Sequence, residues 1–115
     1  MTLFVDARVP VRFGPVSDAG PETALLVEGD RPVPFGVAFV RCTLARVTSH
    51  AAGCACCTPR GPAAEALGRL FLARARDANG WFRSVLAVVD GPDGRAAVLA
   101  ALADDPLTSA RFRLA

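Results

Sequence analysis

Apolar residues fall first into short alternating runs and later into a helical spacing. Val9, Val11 and Phe13 alternate along the chain, which predicts a strand over 9–13. A shorter β-like run, 3–5, lies ahead of it across Asp6-Ala7-Arg8. Gly14-Pro15 breaks the chain, and 16–22 reads as loop. Residues 23–27 are compact and apolar, a second strand. Gly, Asp and two prolines make 28–34 a turn or exposed loop. Residues 36–47 are rich in Val, Phe and Leu and read as one bent strand or two shorter ones.

The period then changes. Ala63, Leu67, Leu70 and Phe71 recur at helical spacing and predict a helix over 62–76. Pro62 suits its first turn, where a missing N–H leaves nothing unpaired. Glu65 near its start and Arg74 and Arg76 near its end match the helix dipole. Asn79-Gly80 should stop it. Residues 85–89 form an unbroken apolar run, as expected of a strand buried on both faces. A turn over 90–94, an Ala/Leu helix over 95–103 and a last short helix over 108–114 complete the pattern. Asp104-Asp105-Pro106 reads as a helix stop followed by an N-cap and a first-turn proline. This succession predicts an α/β fold: a single small domain, two- or three-layered. It would hold about four to six strands in a mixed sheet with a parallel centre, flanked by two or three helices.

Composition narrows the function. A chain of 115 residues, 52% hydrophobic and 21% charged, fits one domain over 1–115 with its own core. A net charge of +2 offers no basic face for nucleic acid. No apolar run approaches the roughly 18 residues of a membrane span, and MTLFVDARVP lacks a signal-peptide core. The expectation is a soluble cytoplasmic protein with neither nucleic acid nor membrane as partner. All 13 basic residues are arginine. That excludes a phosphate-loop lysine, a Schiff base and a lysine general base. His50 stands alone, so no mechanism needing two histidines is available. No serine has the G-x-S-x-G setting of a hydrolase.

The sharpest local signal is Gly53-Cys54-Ala55-Cys56-Cys57-Thr58-Pro59-Arg60, where a strand hands over to a helix. Thiolates at i, i+2 and i+3 can converge on one thiophilic ion, zinc foremost. A helix N-terminus close behind would favour the thiolate form. Four-coordination needs one more donor. His50 is the nearest candidate, with Asp90, Cys42, water or a second chain as others. The same cysteines also read as small buried hydrophobes, or as redox thiols with Cys56 or Cys57 as nucleophile. A Cys56–Cys57 bridge would be strained. Cys42, among apolar neighbours, reads as core. Asp90-Gly91-Pro92-Asp93-Gly94 reads as a plain turn ahead of a carboxylate site, and Arg111 and Arg113 as solvated helix positions.

The cysteine segment resembles the GCxCCTxR motif of the CobW-type metallochaperone GTPases. The order continues. Trp81-Phe82-Arg83-Ser84-Val85-Leu86 resembles that family's next strand, Asp90-Gly91 its following turn, and Asp105-Pro106 through Arg111-Phe112-Arg113-Leu114 its D-P…F-R-L segment. The resemblance covers about 47–114 and implies a truncated CobW-like α/β domain. It implies metal ligation by Cys54, Cys56 and Cys57. The family's glycine-rich phosphate loop with Gly-Lys-Thr has no counterpart here, and Val88 stands where its acidic turn residue falls. No nucleotide binding or hydrolysis is therefore expected, and the protein is not expected to be an enzyme. The expectation is a metal carrier, buffer or sensor, with a homodimer and a metal-recipient protein as candidate partners. The alternatives are a dimeric interaction module with structural cysteines and a thiol-redox protein.

Overall fold

The computed structural model describes residues 6–42, 61–76 and 81–115. Among them, short runs rich in valine, leucine and phenylalanine form five strands: β1 (Val9–Phe13), β2 (Thr23–Glu28), β3 (Phe39–Cys42), β4 (Ser84–Val88) and β5 (Phe112–Leu114). Three helices join the later strands: α1 (Pro62–Arg76), α2 (Pro92–Asp104) and α3 (Pro106–Arg111). A single 3-10 turn, Val16–Asp18, lies between β1 and β2.

The strands make one sheet in the order β3-β2-β4-β1-β5. All four pairings are parallel, with Leu26 opposite Ala87 and Val11 opposite Val85 at the centre. The sheet is thus α/β with a parallel centre. The antiparallel margins expected of a mixed sheet do not occur among the described residues. β2 and β4 have neighbours on both sides, and Leu25, Leu26, Val27, Leu86 and Ala87 are fully buried. Their continuous apolar runs follow from burial on both faces.

The two faces are covered differently. On one, Val9, Val11, Leu26, Val85 and Ala87 pack against α1 and α2 through Ala64, Leu67, Leu70 and Val98. On the other, Leu25, Val27, Leu86 and Val88 pack against Val16, Ala19, Val33 and Val37. Those four come from the connections 14–22 and 29–38, which are shorter than the dozen or so residues a helical crossover needs. One face therefore carries helices and the other carries loops. The direction of travel agrees: β1 to β2 to β3 runs one way across the sheet, and β3 to β4 to β5 runs the other. Right-handed crossovers in opposite directions fall on opposite faces.

Several sequence expectations need correction. The last segment is not one helix over 108–114. Helix α3 ends at Arg111, and Phe112–Leu114 pairs with β1 as β5. Phe112 is driven there by burial, meeting Phe71 edge-on with ring centroids 5.9 Å apart. Arg113 is consequently a strand residue facing Asp6, and Arg111 lies over the Phe71 ring, 4.5 Å from its centroid. The turn over 90–94 is shorter than expected, because Pro92 already starts α2. Glu28 belongs to β2 and not to the loop after it. Of the stretch 36–47, residues 39–42 are strand, while 43–47 lie outside the described residues, as do 3–5 and Asn79-Gly80. Helix α1 spans 62–76 as read from its spacing.

Candidate functional site

Cys54, Cys56, Cys57 and His50 lie outside the described residues. What is described is the frame that brackets them. In sequence the segment lies between Cys42, which ends β3, and Gly61, one residue before α1. Strand β3 ends at the carboxyl edge of the parallel sheet, where open α/β sheets place their ligands. Among the described residues no three of His, Cys, Asp and Glu are grouped to hold a metal.

Two donors at that edge are nevertheless well defined. Glu28 and Cys42 end adjacent strands and are paired in register. Glu28 is only 9% exposed, and its Oε1 accepts the backbone N–H of Asp90 at 2.8 Å. Gly94, in the first turn of α2, makes room for it: a Cβ there would overlap the Glu28 carboxylate. The carboxylate thus sits at the positive end of α2. The pattern in the sequence gave no sign of this. Glu28 followed by Gly29-Asp30 has the look of a turn, and only the approach of α2 buries it.

The Cys42 thiol is half buried and donates weakly to the Val27 carbonyl oxygen at 3.8 Å. Burial raises its pKa to about 11, the Glu28 charge adds to this, and Arg69 opposes it. A thiol must lose its proton to bind metal, so this environment suits packing better than ligation. The core reading of Cys42 fits its contact with the helix-side cluster. Asp90, the other candidate donor, is paired through its carboxylate with Arg31 and is about half exposed. Asp105 has the N-cap role read from the sequence: its Oδ2 accepts from the Thr108 N–H at 3.0 Å and from the Thr108 hydroxyl at 2.8 Å.

No helix among the described residues is long and apolar enough to cross a membrane. No protein-family model, curated protein or solved structure matches this chain.

Proposed function

We propose that this protein binds a transition metal, zinc by preference, through Cys54, Cys56 and Cys57, and works as a carrier, buffer or sensor. The observation that carries the reading is the spacing in Gly53-Cys54-Ala55-Cys56-Cys57, three soft donors within four residues. Its setting supports it: in sequence the segment follows Cys42, which ends β3 at the sheet edge where ligands are usually held. His50 completes the tetrahedron in this reading. The resemblance to the CobW-type family points the same way, without that family's nucleotide chemistry. A lysine-free chain lacks the lysine that a phosphate loop of that kind uses. A cytoplasmic location, where thiols stay reduced, suits the proposed ligands. A metal-recipient protein is the expected partner, and a homodimer could share the site.

The test is metal content after purification under reducing conditions, followed by Co(II) titration of the metal-free protein. The expected result is intense thiolate-to-cobalt absorption with tetrahedral d–d bands, lost in Cys54→Ser, Cys56→Ser and Cys57→Ser. One metal per chain supports a carrier or sensor, and one per two chains a site shared by a dimer. A folded protein indifferent to cobalt would overturn the proposal. It would favour a second reading, an interaction module with structural cysteines. Phe35, fully exposed, and Phe39 in β3, about half exposed, speak for that reading as apolar side chains open to a partner.

A further inference from the structure

The carboxyl edge holds a second feature, independent of the cysteines. Between the ends of β1 and β4 lies an open cavity of about 400 Å³. Its apolar wall includes Phe13, Pro15 and Val89, and among the described residues the charged side chains that line it are Arg31 and Arg95. They come from opposite sides. Arg31 belongs to the connection that covers the loop face through Val33 and Val37, and Arg95 to the first turn of α2 on the helix face.

Among the described residues, the carboxylates near this cavity are Glu28, Asp90 and Asp18, the last beside Gly14. Glu28 already answers the positive end of α2, and Asp90 already answers Arg31. The Arg95 guanidinium lies over Phe13, 4.2 Å from the ring centroid, and no carboxylate among the described residues pairs with it. A cation held against an aromatic face keeps its N–H groups free for another partner. Two guanidinium forks on opposite sides of an apolar cleft are the chemistry that holds a small anion with an apolar body.

We propose that this cavity binds the phosphate head of a small phosphomonoester between Arg31 and Arg95, with the organic group against Pro15 and Val89. A dianion with three peripheral oxygens can engage both forks at once, which a planar carboxylate does less well. Asp90 competes for Arg31, so it limits the affinity. The inference does not rest on the metal reading.

The experiment is a titration of the full chain with inorganic phosphate, phenyl phosphate and benzoate, followed by amide resonances. The expected result is saturable shifts at Gly14 and Arg95, tightest for phenyl phosphate. Arg95→Gln should weaken phenyl phosphate by about tenfold or more, the loss of one charge-assisted contact. Asp90→Asn should tighten it several-fold, since Arg31 loses its competitor. Arg76→Gln, at the exposed end of α1, should leave it unchanged. Benzoate binding as tightly as phenyl phosphate would overturn the choice of phosphate. Absence of saturable shifts, or an Arg95→Gln response equal to wild type, would overturn the site.

Discussion

At the residue scale, the carboxyl edge shows how a neighbour decides what a side chain can do. Cys42 has the same thiol as the clustered cysteines, yet burial and Glu28 hold its pKa near 11 against an ordinary value of 9.0. Two units mean about a hundredfold less thiolate at neutral pH. Iodoacetamide at pH 8 should therefore label Cys42 about a hundredfold more slowly than an ordinary free thiol, read peptide by peptide by mass spectrometry. Labelling at the free-thiol rate would show that Cys42 is not held as described. The sign for stability follows. The raised pKa of an acid favours its neutral form, so the Cys42 contribution is complete below about pH 9 and is lost as pH rises towards 11. Asp6 illustrates the reverse case: hydrogen bonds from Arg8 lower its pKa to about 2. Its carboxylate pairing is present above about pH 4 and disappears as pH falls towards 2.

At the element scale, the helices form for different reasons. Helix α1 is amphipathic, with Ala63, Ala66, Leu67 and Leu70 buried and charges at both ends matching its dipole. Helix α2 has no such period. Residues 96–103 are all apolar, yet the helix buries only Gly94, Val98 and Ala101. Alanine and leucine make it a helix by propensity, and the sheet beneath selects its buried face. Helix α3 is too short to stand alone and depends on its cap. Asp105→Ala should remove both Thr108 bonds and leave a buried hydroxyl without that partner. The expected cost is about 1–2 kcal/mol in chemical denaturation. Asp105→Asn should retain most of the stability, and equal losses for both variants would rule out the capping role.

At the scale of the whole molecule, stability is concentrated in the middle of the sheet. β2 and β4 are paired on both sides and buried on both faces, while among the described residues β3 and β5 are edge strands. Their amides should open only with global unfolding. Hydrogen exchange should therefore find Leu25–Val27 and Leu86–Val88 protected longest, ahead of Phe39–Cys42 and Phe112–Leu114. Equal protection across all five strands would contradict this ordering. The unequal covering of the two faces also belongs to this scale. It arises because two early crossovers are too short for a helix, so turns and small apolar loops do the covering.

Much of the fold could be read from the chain because local chemistry and tertiary demand agree there. The alternation at Val9–Phe13, the apolar runs of β2 and β4, the spacing and flanking charges of α1, and the Asp105-Pro106 start of α3 all carry their own cause. The same holds for the absence of lysine and for the cysteine spacing, which are covalent facts. Other features had no local signature. Phe112–Leu114 is a strand only because Val9–Val11 lies beside it and Phe71 awaits Phe112. Pro92 starts a helix where Gly and Asp suggested a turn, because that helix must return over the sheet at once. Glu28 becomes a buried anion, and Arg31 and Arg95 become neighbours of one cavity, through contacts between residues far apart in sequence. Which segments can be strand or helix is written along the chain, since that depends on side chains a few positions apart. Strand order, the face each helix covers and which charges meet are settled on folding, since those depend on contacts that no local pattern encodes.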